Sequence, residues 1–317
     1  MANELRKGTN NINIIGVVKE HKLQLQKNDK KEEYINGSLV IKAGEYTEIE
    51  LKVFVSKLKK DGTVKKNFET LKKFIDKEYD TVATNKENAT TISVYGNGDF
   101  CPQLREERYA NGTKTEMITK VSCDLGFGNI KIDDYSEEDF KATFDIEMFV
   151  TSVDEEMKED EETGRVIVKG FTPIYGGDVM EVKVFAGKIV DEEGEYDFAE
   201  DVRDGVDAGD TVNFWGDINF MKIITKKKKG GGMGRAKIEE KTDYINELVA
   251  IVAELVEDEE KAFDEELIGK AVKERKVDLE ERLEKAKKDN KGEDKSNKKG
   301  MSSSKDKSDK PKRNINF

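Results

Sequence analysis

Residues 49–57 read IELKVFVSK, and residues 180–188 read MEVKVFAGK. Both stretches alternate with a period of two, the pattern of a strand with one buried face. In the first, Ile49, Leu51, Val53 and Val55 share one face, while Glu50, Lys52 and Phe54 share the other. In the second, Val182, Val184 and Ala186 stand opposite Glu181, Lys183 and Phe185. Each strand therefore sets one phenylalanine on its charged face, at the same step, and each ends in a lysine, Lys57 or Lys188.

The likeness extends outward in both directions. SLVIKAG at 38–44 matches RVIVKGF at 165–171, and INIIGVV at 12–18 matches IEMFVTS at 146–152 more weakly. TTISVYGNGDF at 90–100 matches DTVNFWGDINF at 210–220, with Thr91 over Thr211, Gly96 over Gly216 and Phe100 over Phe220. The matches keep their order in the two halves. That is the mark of a duplicated domain with divergent loops, and its period is too long for a solenoid. The copies are expected at 8–132 and 141–256.

Strands are expected at 11–18, 34–43, 47–56, 90–97 and 114–125. Between the third and fourth, NFETLKKFIDKEY places Phe68, Leu71, Phe74 and Ile75 on one helical face. ANGT at 110–113 supplies the Asn-Gly of a tight hairpin. Three strands, a helix and a closing strand pair are the element order of the OB-fold, a five-stranded Greek-key barrel that binds oligonucleotides. The expected fold is mainly β: two tandem OB-folds, a charged helix at 257–288 and a disordered basic tail at 289–317. The helix face carries Phe263, Leu267, Ala271, Leu279, Leu283 and Ala286.

Exposed aromatics on a barrel suit base stacking, which is worth roughly 1–3 kcal/mol per base and tolerates any sequence. Phe54 and Phe185 on the third strands, and Tyr95 and Trp215 on the fourth, are the candidate platforms. Lys52, Lys57, Lys183 and Lys188 beside them can neutralise phosphates. Arg105, Arg108 and Tyr109 fall on the first long hairpin. Lys226, Lys227, Lys228, Lys229 and Arg235 fall on the second, in KIITKKKKGGGMGRAK. The competing reading packs the same aromatics beneath the helix, the other domain or the C-terminal segment, and leaves the lysines solvated.

Composition removes other classes. The net charge is −12, yet residues 285–313 hold twelve Lys or Arg against five Asp or Glu, so acidity and basicity are segregated. Acidic clusters at 154–162 and 191–210 would repel a phosphate backbone, which leaves the first copy better equipped to bind one. One histidine, His21, gives almost no material for a nucleophilic triad or a multi-histidine metal site. GGGMGR lacks the Gly-Lys-Ser/Thr of a phosphate loop. No cofactor, metal or catalytic residue is expected. No apolar run is long enough to span a membrane and the N-terminus has no signal-peptide core, so a cytoplasmic location is expected. Cys101 and Cys123 read as free thiols of a reducing compartment, although opposed strands would also bring them together.

LKVFVSK, VKVFAGK and TISVYGNGDF…RYANGTKTEMITKVS are similar to the third strand, fourth strand and long hairpin of the bacterial single-strand-binding family. The chain resembles a bacteriophage member with tandem OB-folds. That resemblance implies sequence-tolerant binding of single-stranded DNA in replication, recombination or repair, without catalysis. Family members typically end in an acidic, phenylalanine-tipped peptide that recruits replication or recombination proteins. Here the end reads KPKRNINF: Phe317 is present and the acids are not. The alternative is a non-catalytic OB-fold interaction module of a replisome, recombination or virion assembly.

Overall fold

The structure is a computed structural model that describes residues 4–98, 100–191, 194–229 and 237–296; of residues 191, 222–229, 237–244 and 289–296 it describes the backbone alone. The first half runs β1 (Asn10–His21), β2 (Gln24–Lys27), β3 (Glu33–Lys42), β4 (Glu48–Ser56), helix α1 (Lys66–Ile75), β5 (Thr91–Tyr95), β6 (Gln103–Ala110), β7 (Met117–Asp124) and β8 (Asn129–Ile132). The second runs β9 (Lys141–Lys158), β10 (Glu161–Pro173), β11 (Val179–Ala186), β12 (Lys188–Asp191), β13 (Gly194–Asp197), α2 (Phe198–Gly205), β14 (Thr211–Lys229) and β15 (Lys237–Leu255). Helix α3 (Glu265–Ser296) follows. The protein is mainly β, with one large sheet.

The chain divides into two compact units. One holds residues up to Glu107 with 119–276; the other holds 108–118 with the residues from Val277 onward. The strand pairings below lie in the first unit, except that residues 108–110 of β6 and 117–118 of β7 belong to the second.

In the second half the ladder closes on itself. β9 pairs with β10, β10 with β11, β11 with β15 in parallel, β15 with β14, and β14 with β9. The first half follows the same path: β1 with β3, β3 with β4, β4 with β7 in parallel, and β7 with β6. There the fourth strand is interrupted. β5 pairs with β1, and the chain turns through 96–102 before resuming as β6. The glycines of the repeated motif answer two different needs. A Cβ on Gly96 would run into the Cys101 sulfur where the chain folds back, and one on Gly216 would strike the Val249 carbonyl at a bulge in β14.

The alternation read from sequence holds. Ile49, Leu51, Val53, Val55, Val182, Val184 and Ala186 are all buried, as are Phe68, Leu71 and Phe74 of α1. The halves meet where β1 pairs antiparallel with β9, Ile12 opposite Phe144 and Ile14 opposite Ala142.

Several elements depart from expectation. β2 and β8 are short, and β6 (QLREERYA) is too polar to read as a strand, yet each pairs with a neighbour. Helix α3 begins at Glu265 rather than 257. The preceding residues turn first, to carry Phe263 inward while its N–H donates to Thr211 Oγ1 at 2.8 Å, and Asp264 Oδ1 then accepts from the Leu267 N–H at 3.0 Å. The helix also continues to Ser296, past the boundary at 288, through charged sequence without proline. The remainder of the expected tail, 297–317, lies outside the described residues. Both cysteines are free thiols.

Candidate nucleic-acid interface

The outer face of β3 and β4 carries the most open aromatic of the four predicted. Phe54 is 64% exposed. Its ring lies 5.2 Å from that of Tyr34, at 39°. Tyr34 is held in turn by its hydroxyl, which donates to Gln26 Oε1 on β2 at 2.7 Å. Sequence reading missed Tyr34, although its place on the outward phase of a strand beside Phe54 was a usable signal.

The lysines of this face are paired with acids. Lys57 Nζ is 2.7 Å from Glu33 Oε2, and Lys52 Nζ is 3.3 Å from Glu50 and 3.7 Å from Glu107. The hydrogen bond and charge of Lys57 hold the Glu33 carboxyl below its usual range. Burial opposes the charge on Glu50, but hydrogen bonding from Ser38 and the charge of Lys52 outweigh it and lower its pKa. These are exposed or half-exposed pairs, whose net worth is small, so exchanging a carboxylate for a phosphate costs little.

The equivalent face of the second half is covered. The Arg165 guanidinium lies 4.6 Å above the Phe185 ring, anchored to Glu247 at 2.8 Å and Glu156 at 3.5 Å. Phe171, also outward, packs in one cluster with Ile268, Ala271 and Val272 of α3 and with Leu5, Phe149, Val179 and Phe263. Lys183 is exposed, and Lys188 pairs with Glu195. Phe185 thus differs from Phe54 in that a guanidinium already occupies one of its ring faces.

Tyr95 and Trp215 come together away from β4, at the seam of β1 and β9, where they line one shallow pocket with Asn11, Asn13 and Asp145. Burial raises the Asp145 pKa, against hydrogen bonds from Trp215 and Asn11. The pocket has no cationic lining residue, unlike the β4 face. Arg105 is exposed and pairs with Asp124 at 3.1 Å. In the second unit, Arg108 is buried against Asp278 at 3.2 Å, and Tyr109 is exposed. Lys226, Lys227, Lys228 and Lys229 belong to β14 rather than to a loop, opposite Glu240, Glu239, Ile238 and Lys237 in register. Arg235 and Phe317 lie outside the described residues.

Among the described residues no group of three or more His, Cys, Asp or Glu is placed to hold a metal, and no helix is long and apolar enough to cross a membrane.

The YorF family model matches residues 8–289. No curated protein matches the chain. Among the solved structures that resemble it are two, each at 11% identity and a TM-score of 0.44 over 80% of this chain. They are the wild-type single-stranded DNA binding protein from Thermus aquaticus, covered over 95% of its length, and a deletion mutant of that protein, covered over 97%.

Proposed function

The chain belongs to the YorF family, and we propose that it binds single-stranded DNA without reading its sequence, by base stacking on the outer face of its first half. The observation that carries this reading is the Tyr34–Phe54 pair. Two rings 5.2 Å apart, one of them nearly two-thirds exposed, stand on the paired strands β3 and β4 among lysines whose partners are surface carboxylates. A lone exposed phenylalanine is ordinary. A ring pair of fixed geometry within reach of movable cations is what a sequence-tolerant strand binder needs.

We read the two strand paths as tandem OB-folds, 8–132 and 141–256. Supporting this is their shared order, in which the first strand pairs with the second and fourth, and the third pairs in parallel with the fifth. On this reading Phe54, Lys52, Lys57 and Arg105 make the principal contacts. Lys183, Tyr109 and the Lys226–Lys229 strand add to them, and Phe185 contributes only if Arg165 swings aside. The protein acts as a binder and not as a catalyst. The setting we assign, strand protection in phage replication, recombination or repair with Phe317 as a recruiting residue, follows from the sequence resemblance.

Anisotropy of labelled oligo-dT, titrated at two salt concentrations beside a duplex of equal length, tests the proposal. Binding should favour the single strand and weaken steeply with salt, because each neutralised phosphate releases condensed counterion. Absence of binding, or equal binding to the duplex, overturns it.

A further inference from the structure

The first half carries a second pair of exposed rings. Phe127 is 77% exposed and Phe100 is 61% exposed. Their centroids are 6.1 Å apart and their planes meet at 83°, edge to face. Neither ring hangs on loose backbone. Phe127 sits between Gly126, at a φ of +50°, and Gly128, whose N–H donates to the Leu125 carbonyl at 2.7 Å. Asn67 of α1 clamps the far side: its Nδ2 donates to the Gly128 carbonyl at 2.7 Å, and its Oδ1 accepts from the Ile130 N–H at 3.1 Å. Phe100 closes a turn on Asn97, with backbone hydrogen bonds of 2.9 and 3.2 Å between the two residues. A Cβ on Gly128 would meet Pro102 Cδ at 2.5 Å, so the two turns pack closely only because glycine stands there.

The β4–β7 pairing sets where this pair lies. Lys52 is opposite Asp124, and the Leu125 N–H donates to the Lys52 carbonyl at 2.9 Å. Buried Leu125 follows directly on this pairing, and the chain then turns at Gly126 and Phe127. Tyr34, Phe54, Phe127 and Phe100 thus come from successive neighbours: β3, β4, the turn after β7, and the 97–100 turn. Adjacent strands stand about 4.8 Å apart. A Cβ on Gly126 would stand 3.3 Å from the Cys101 carbonyl, so this turn packs against the chain that follows the 97–100 turn. Asp124, opposite Lys52 in the ladder, pairs with Arg105 at 3.1 Å.

We propose that Phe127 and Phe100 form a second stacking platform for single-stranded nucleic acid, continuing the path from Tyr34 and Phe54 across β4 and β7. This rests on the single-strand reading above and extends it: the first half holds bases at two separated ring pairs. An apolar segment of a protein partner is the rival occupant. Two rings bordered by Lys52, Arg105 and Asp124 are a small patch beside the roughly 1,000 Å² that a specific protein interface needs.

The full-length chain, its Phe54→Ala, Phe127→Ala, Phe100→Ala and Phe127→Tyr variants, and an oligo-dT length series test this. Phe127→Ala should weaken long oligonucleotides by about 5- to 150-fold, the range for losing one base–aromatic stack. It should also shorten the occluded length and leave the shortest oligonucleotides unaffected, and Phe127→Tyr should restore all three. If Phe54→Ala weakens binding while Phe127→Ala and Phe100→Ala keep wild-type affinity and occluded length, the second platform is wrong and the first stands. If the wild type binds no oligonucleotide, both fall. Should Phe127→Ala fail to fold, Phe127→Leu replaces it: a leucine variant that binds as well as the tyrosine one overturns stacking at this position.

Discussion

Arg275 of α3 and Glu106 of β6 meet 2.5 Å apart with their side chains only 9% and 2% exposed. The guanidinium also reaches Glu181 at 3.4 Å and lies 5.9 Å from the Phe171 ring. One arginine thereby ties the C-terminal helix to strands of both halves. Removing either charge takes from the other its nearest charged partner in a buried setting, and breaking a buried pair typically costs about 3–5 kcal/mol. Arg275→Ala should lower unfolding free energy by that order in a urea titration. Arg275→Met combined with Glu106→Leu should cost much less than the single changes predict, and a double-mutant cycle reads the difference.

The two equivalent phenylalanines should separate in binding. Phe54→Ala should cost roughly 1–3 kcal/mol of oligo-dT affinity with little change in melting, because the ring is mostly in water already. Phe185→Ala should cost less affinity, because Arg165 covers the ring. Equal losses at the two sites, measured by anisotropy, would show that the guanidinium yields to a base.

Truncation should divide helix α3 into a structural part and a dispensable one. A chain ending after Lys288 keeps Phe263, Ile268 and Ala271 on Phe149 and Val179 and should melt near the wild-type temperature. A chain ending after Leu255 exposes that cluster. At roughly 1.5–3 kcal/mol for each large apolar side chain returned to water, it should melt far lower or not fold.

Asp145 should make stability depend on pH at the seam of the two halves. Burial raises its pKa from 3.8, so the folded state holds the proton more tightly than the unfolded state. Its contribution therefore falls as pH rises from the ordinary Asp range through the raised folded value, and stays low at pH 7. Asp145→Asn keeps an oxygen for the Trp215 indole and removes the buried charge. It should raise the melting temperature at pH 7 and flatten the profile in that window, as followed by the fluorescence of the single tryptophan.

The thiols should differ sharply in reactivity. Burial pushes the Cys123 thiol up to about 12, so it is neither ionised nor reachable at pH 8. Cys101 is half-exposed. A chromogenic disulfide reagent should label one thiol quickly in the native protein and the second only on unfolding.

Much of the architecture was legible because its causes are local. The period of two in IELKVFVSK and MEVKVFAGK depends on residues two apart, and every position it assigned to the core is buried. The α1 face of Phe68, Leu71 and Phe74 depends on residues three apart. The duplication needed only the order of the matches. All of these are properties of a few consecutive residues, which the chain carries before it folds.

What only the tertiary structure decided is which outward residues stay uncovered. Phe54 and Phe185 are indistinguishable by phase and neighbours. One is open, with Tyr34 at its side; the other is capped, because Arg165 reaches over it and is held there by Glu247. Phe127 and Phe100 meet because a parallel strand pairing and two glycine turns bring together positions 27 residues apart. Tyr95 and Trp215 share a pocket because β1 pairs with β9. Alternation tells which way a side chain points. What then lies over it is set by contacts between residues remote in the chain, which no local period records.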